Sequence, residues 1–294
     1  MLPKRSGVAL NIAHRGARSL APENTLTAAS KALAVGADLW EFDVQWTQDR
    51  ELVVIHDDTL ERTTNAKSVF PGRSPWRVEA FTLAQIKRLD AGSWFDEQDP
   101  FGQIAAEAVS TAERRSYQNV AVPTLGEALG WTRAHHWYAN VELKPLQGDA
   151  IQIETFVEQV VRCIEASDMV ERVLVSSFDI KLLQACGRLA PLLARALLVE
   201  RAPAQALALL ERLAVQAYHP HHNAYDPSLA RALGERGLAV NVWGDHVCAN
   251  QALLSDPGVN GIFTDYPQHL AGLLGGRNPK GRNPKGRNPK GRNR

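Results

Sequence analysis

From residue 137 to residue 263 the chain alternates between short apolar runs and amphipathic stretches, and this rhythm constrains the fold more than anything else in the sequence. Strands are predicted at WYANVELK (137–144), RVLVS (172–176), ARALLV (194–199), AVQAY (214–218), LAVNV (238–242) and NGIF (260–263). Helices are predicted between them, at about 149–166, 179–190, 203–212, 227–235 and 247–255. Upstream, VALNIA (8–13) and DLWEFDVQW (38–46) add two strands, separated by a helical repeat over 25–35 that Gly36 ends. Strands alternating with helices through short connections form a parallel sheet, and eight such units close into a barrel. A barrel of that kind takes roughly 250 residues, so it uses nearly all of the 294 present.

One segment breaks the rhythm. Thr47 to Glu51 is turn-like, and Leu52-Val53-Val54-Ile55 reads as another strand. Five residues cannot carry the chain between parallel neighbours, which need a crossover of about a dozen or more. The spacing therefore predicts a hairpin that brings His56 back to the level of Asp43. Residues 58–121 are the least regular part and read as an insertion over one face. Capping boxes are expected there at Thr82/Gln85, and just beyond it at Thr124/Glu127.

Residues 1–274 are assigned to the barrel, and 275–294 to a tail built on a repeat of Gly-Arg-Asn-Pro-Lys. The tail has no apolar side chain to bury, so disorder is expected. It holds eight Lys/Arg and no acid, which leaves the rest of the chain with 25 basic and 32 acidic residues, a net of about −7. A mildly acidic body argues against nucleic-acid binding. Cys163, Cys186 and Cys248 are far apart and form no CxxC pair, so neither a disulfide framework nor a cysteine zinc site is supported. The first residues have too short an apolar run for a signal peptide, and no membrane span is expected. A cytoplasmic setting is the default, with a homo-oligomer left open.

Active sites in such barrels lie at the C-terminal ends of the strands. His14 and Arg15 follow the first strand there. Glu41 and Asp43, two apart and so on one face, end the second. Glu142 and Lys144 end the third. Ser176 and Ser177, Tyr218 and His219, Trp243, and Thr264 and Asp265 end later strands. Three carboxylates aimed at one point repel unless a cation joins them, and an all-oxygen shell suits Mg2+ or Ca2+ better than zinc. Arg15 and Lys144 beside them suit an anionic ligand, above all a phosphate. His14 and His56 supply a general base and a general acid. Together these predict hydrolysis of a phosphate ester.

The motifs HRGARSLAPENT, Glu41-x-Asp43, VVIHDDTLERTTN, LDAGSWF, VPTLGEAL, VELKP, SSF and GIFTDYP occur in this order. The chain thereby resembles the glycerophosphodiester phosphodiesterase family from about residue 9 to 274. The resemblance implies a TIM-type (β/α)8 barrel with an insertion after the second strand. It implies cleavage of glycerophosphodiesters, such as glycerophosphocholine and glycerophosphoethanolamine, to sn-glycerol 3-phosphate and an alcohol. Position by position, Glu41, Asp43 and Glu142 match the family's metal ligands, His14 and His56 its acid–base pair, and Arg15 and Lys144 its phosphate contacts. His14 is expected as base and His56 as acid.

Other residues have plainer readings. Glu23 and Asn24 read as a helix start with Asn24 as N-cap. Asp57 and Asp58 read as loop-shaping residues. Trp243 is expected to wall the pocket and His219 to lie near substrate, while His221 and His222 read as loop. Two rival functions remain. A lysophospholipase D would need an apolar rim, which Trp76, Phe81, Trp94 and Phe95 could supply. A non-catalytic phosphodiester-binding barrel would be marked by loss of a histidine or a metal acid, and none is lost.

Overall fold

The computed structural model describes residues 8–275 apart from 147 and 245–250. The basic repeat tail from 276 onward and Cys248 lie outside the described residues. Nine strands form one sheet: β1 (Leu10–Ala13), β2 (Leu39–Trp46), β3 (Leu52–Val54), β4 (Ala139–Leu143), β5 (Val173–Ser177), β6 (Ala194–Val199), β7 (Ala217–Pro220), β8 (Ala239–Val242) and β9 (Gly261–Thr264). The order is β1-β9-β8-β7-β6-β5-β4-β2-β3, and β1 also pairs with β2. All but β3 run parallel. Eight strands thus close into a TIM barrel.

Side-chain alternation along the strands fills both sides of the wall. Leu10, Ile12, Leu39 and Phe263 form one interior cluster, and Leu174, Ala196 and Ala217 another. Phe42, Val44, Val141, Leu143 and Val175 pack outward against the surrounding helices. Gly261 shows how full the interior is. A Cβ there would lie 2.6 Å from Asn241 Oδ1 and 2.8 Å from Ile12 Cδ1.

The hairpin is present. β3 runs antiparallel to β2 with Val44 opposite Val54, and the Ile55 N–H donates to the Asp43 carbonyl at 3.1 Å. His56 is returned to the level of Asp43, as the short turn requires. The Gln45 amide fixes the chain beyond β3 by donating to the carbonyls of Ile55, His56 and Asp57 at 3.1, 2.8 and 2.9 Å.

Some local expectations shift. β7 occupies Ala217–Pro220 rather than 214–218, because Ala214 takes a left-handed conformation (φ 49°) that caps the helix Ala206–Leu213. Thr25, not Asn24, caps the helix Leu26–Ala34. Its Oγ1 accepts from the Ala28 N–H at 3.1 Å, which leaves the Asn24 side chain free for another task. Between 58 and 121 run several short helical segments, including Leu83–Ile86 with the expected capping box. Phe81, Ile86 and Leu89 there pack with Val53 and Ile55 of the hairpin. The capping box at Thr124 opens the helix Leu125–Ala134. Of the helix expected at 247–255, Gln251–Ser255 is helical and the rest falls outside the described residues. No helix among the described residues is long and apolar enough to cross a membrane.

Candidate active site

Alternation on β2 turns Glu41 and Asp43 inward, and parallel register sets Glu142 of β4 opposite Asp43. The three carboxylates bring ligand atoms within 4.8 Å of one another. They are 2%, 1% and 9% exposed, so water screens them little. The loop after β1 closes over them. Arg15 is left-handed (φ 54°) and donates its backbone N–H to Glu41 Oε2 at 2.8 Å. Gly16 follows at φ 81°, where a Cβ would stand 2.7 Å from the Ala28 backbone carbon, so this tight loop admits only glycine. Asn24, also left-handed, donates its amide to Asp43 Oδ2 at 2.8 Å and accepts from the Asp43 N–H at 3.2 Å. Lys144 Nζ sits 3.0 Å from Glu142 Oε1 and 3.5 Å from Asp43 Oδ1.

Burial, with repulsion from Asp43 and Glu142, pushes the Glu41 carboxyl well above the usual carboxylate range. Burial and Asp43 likewise raise Glu142. Asp43 goes the other way: Arg15 and Lys144 overcome its burial and hold it down at about 2. Glu41 Oε1 is buried without a hydrogen-bond partner. An orphaned carboxylate oxygen facing two further carboxylates fits a hard divalent cation with oxygen ligands.

Each histidine has its own carboxylate. His56 Nδ1 lies 2.7 Å from Asp57 Oδ1, and His14 Nδ1 lies 2.7 Å from Asp265 Oδ1. Arg15 Nε approaches His14 Nε2 at 3.2 Å and Asp43 Oδ2 at 3.5 Å. Behind these groups Glu23, almost fully buried, binds three guanidiniums: Arg15 Nη1 at 2.9 Å, Arg18 Nη2 at 3.0 Å, and Arg62 Nη1 and Nη2 at 3.0 and 2.7 Å. Arg62 also grips Asp57 at 2.6 and 2.9 Å. One continuous network thus holds six carboxylates (Glu23, Glu41, Asp43, Asp57, Glu142, Asp265) and four cations (Arg15, Arg18, Arg62, Lys144). With every carboxylate ionised and both histidines neutral, it falls short by two positive charges, the charge of one divalent ion.

The structure therefore brings His14, His56, Arg15, Lys144 and the three acids together at one barrel mouth. His219 belongs to another strand of the same barrel. It lies within β7, fully buried, where Asn241 Nδ2 donates to its Nε2 at 3.0 Å. Burial pushes its pKa down to about 3. Trp243 is half-buried at the end of β8, with its indole N–H on the His219 carbonyl at 3.0 Å. Of the aromatics suggested as an apolar rim, Phe81 and Phe95 are fully buried and Trp94 is 7% exposed beneath Arg62, so only Trp76 presents surface. Residue reading missed the linking roles of Arg18, Glu23, Asn24, Asp57, Arg62 and Asp265. For Asp265 a signal existed: β9 must neighbour β1 once the barrel closes, which sets its terminal acid beside His14.

The sequence profile of the glycerophosphoryl diester phosphodiesterase family matches residues 14–269. A glycerophosphodiester phosphodiesterase of Caldanaerobacter subterraneus subsp. tengcongensis is 31% identical over 265 residues, covering 90% of this chain and 97% of that protein. Among solved structures, an Oleispira antarctica phosphodiesterase in complex with the product sn-glycerol-3-phosphate superposes with a TM-score of 0.74 at 27% identity, covering 91% of this chain and 97% of that one. A glycerophosphodiester phosphodiesterase from Agrobacterium tumefaciens superposes with a TM-score of 0.68 at 26% identity, covering 90% and 99%.

Proposed function

Because the chain belongs to the glycerophosphoryl diester phosphodiesterase family, we propose that it hydrolyses small glycerophosphodiesters, such as glycerophosphocholine and glycerophosphoethanolamine, to sn-glycerol 3-phosphate and an alcohol. The observation that carries this reading is the buried trio Glu41, Asp43 and Glu142, flanked by two imidazoles and two cations. The trio would hold Mg2+ or Ca2+, and the bound ion would supply Lewis-acid polarisation of the phosphoryl group. Arg15 and Lys144 bind the phosphoryl oxygens and stabilise the charge that grows on them. His14 takes a proton from the attacking water, or from the glycerol 2-hydroxyl with water opening the resulting cyclic phosphate in a second step, and His56 gives one to the leaving alkoxide. Asp57 holds the His56 imidazole at Nδ1 so that Nε2 is the nitrogen available for transfer. The product named for the Oleispira antarctica structure, sn-glycerol-3-phosphate, is the one this reaction would release. The free thiols of Cys163 and Cys186 suit a reducing cytoplasm.

The test is release of glycerol 3-phosphate from a panel of glycerophosphodiesters, with lysophosphatidylcholine as a control, in Mg2+ or Ca2+ and again in EDTA. The expected result is hydrolysis of the small diesters that EDTA abolishes. Preference for the lysolipid would move the assignment to lysophospholipase D. Hydrolysis unaffected by EDTA would refute the three-carboxylate metal site.

A further inference from the structure

The two nitrogens of His14 face partners that can each play only one role. Arg15 Nε carries a proton at any working pH, so at 3.2 Å it can only donate, and His14 Nε2 must present a lone pair. Asp265 Oδ1 lies 2.7 Å from Nδ1. An ionised carboxylate can only accept, so Nδ1 must carry the hydrogen. The tautomer is fixed from both sides. Asp265 is 251 positions from His14 in the chain, and they meet because β9 pairs with β1.

We propose that Asp265 is a positioning residue for His14, locking its imidazole as the Nδ1–H tautomer so that the Nε2 lone pair stays beside Arg15 and the carboxylate trio. This rests on the reading of His14 as a proton-transfer group. Three groups face the imidazole: Arg15, Arg18 and Asp265. Burial and Arg15 both disfavour the imidazolium, while Asp265 favours it. Asp265 itself is kept ionised, because His14 and Arg18 overcome its burial. The Arg18 guanidinium stands 3.6 Å from Asp265 Oδ1. A base needs a lone pair on the nitrogen that takes the proton; Nε2 keeps one, toward which Arg15 donates, and Asp265 is the partner that holds the hydrogen on Nδ1.

The surrounding backbone does not depend on that side chain. The His14 N–H donates to the Thr264 carbonyl at 3.1 Å, and the Ser19 N–H to the Asp265 carbonyl at 3.2 Å. Asp265→Asn should therefore keep the loop in place. It removes the charge that Nδ1–H seeks and offers an N–H2 instead, which favours the wrong tautomer.

The experiment uses the full chain with Mg2+ or Ca2+ bound. Long-range 1H–15N NMR reads the imidazole tautomers, with the His14 signals assigned by their loss in His14→Gln. Steady-state kinetics on glycerophosphocholine read kcat and KM. The wild type should show His14 as a single Nδ1–H tautomer. Asp265→Asn and Asp265→Ala should lose that signature, and kcat should fall by about 10²- to 10⁴-fold, the range general acid–base catalysis supplies, with KM within about threefold. A wild-type His14 protonated on Nε2 would overturn the proposal whether or not the variants fold. So would kcat within about threefold of wild type in Asp265→Asn, or a loss of kcat with the tautomer unchanged. If the wild type released no glycerol 3-phosphate from any diester, the functional reading would fail, and NMR would still decide the His14–Asp265 pair.

Discussion

Glu23 follows a proline near a helix start, and sequence alone gives it no larger part. In the fold it is 2% exposed in its side chain and binds Arg15, Arg18 and Arg62, so it ties the loop after β1 to the segment beyond His56. Its role is illegible locally because Arg62 becomes its neighbour only when the 12–24 loop and the 58–121 segment fold together. Burial opposes its ionisation, but Arg62, Arg18 and Arg15 overcome it and hold the carboxyl far below its ordinary 4.5. A depressed carboxyl contributes stability that is complete above its unfolded pKa and lost as pH falls through the folded one. Glu23→Gln leaves three guanidiniums around a neutral amide and should cost about 3–5 kcal/mol at neutral pH. The gap to wild type should narrow below about pH 4.5. Denaturant titrations at neutral and acid pH measure it, and a pH-independent gap would contradict the charge argument. His14→Ala and His56→Ala should each lower kcat on the order of 10²-fold or more. Near-wild-type turnover in either variant would remove that residue from the chemistry.

The β2–β3 hairpin was the most legible element, because a length argument required it: a five-residue turn permits only an antiparallel partner. β7 was less so. AVQAY and the observed AYHP are both apolar enough to be strands, and what decides between them is the left-handed cap at Ala214, which a sequence pattern does not mark. Asn24 was misassigned for a similar reason. Asn and Thr both cap helices, and the choice of Thr25 follows from the bond Asn24 makes to Asp43, a long-range contact. The hairpin alone does not hold His56 in place. The Gln45 amide binds the carbonyls of residues 55, 56 and 57 and fixes the turn that presents the imidazole. Gln45→Ala should cost about 1–2 kcal/mol of stability, since the amide's bonds are partly replaced by water. It should also lower kcat by about tenfold with KM nearly unchanged, because His56 then samples unproductive positions. An unaltered kcat would show that the turn holds His56 without Gln45.

Closure of the barrel gathers the acids. β2 supplies Glu41 and Asp43, β4 supplies Glu142, and the strands meet in register although a hundred residues separate them. With Glu23, Asp57 and Asp265 these acids make six carboxylates against Arg15, Arg18, Arg62 and Lys144, two positive charges short when all are ionised, and this makes stability depend on metal and pH together. Without a cation, burial and mutual repulsion raise the Glu41 carboxyl well above its ordinary 4.5 and raise Glu142 as well. A carboxyl with a raised folded pKa keeps its proton in the fold after the unfolded chain has lost it. Stability therefore declines as pH rises from about 4.5 through the folded value. Asp43 is held down and contributes the opposite slope only in acid. A divalent ion displaces the protons that Glu41 and Glu142 retain and removes the penalty, so its stabilising effect should grow with pH. With the ion at about 100 times its dissociation constant, binding to the folded state should add about 2.7 kcal/mol. Calorimetric unfolding with Mg2+ or Ca2+ and with EDTA, at about pH 5 and about pH 8, measures this directly. The shift in Tm should be larger at the higher pH and should vanish in Glu41→Gln/Glu142→Gln. An equal shift at both pH values, or one that survives the double substitution, would place the ion elsewhere.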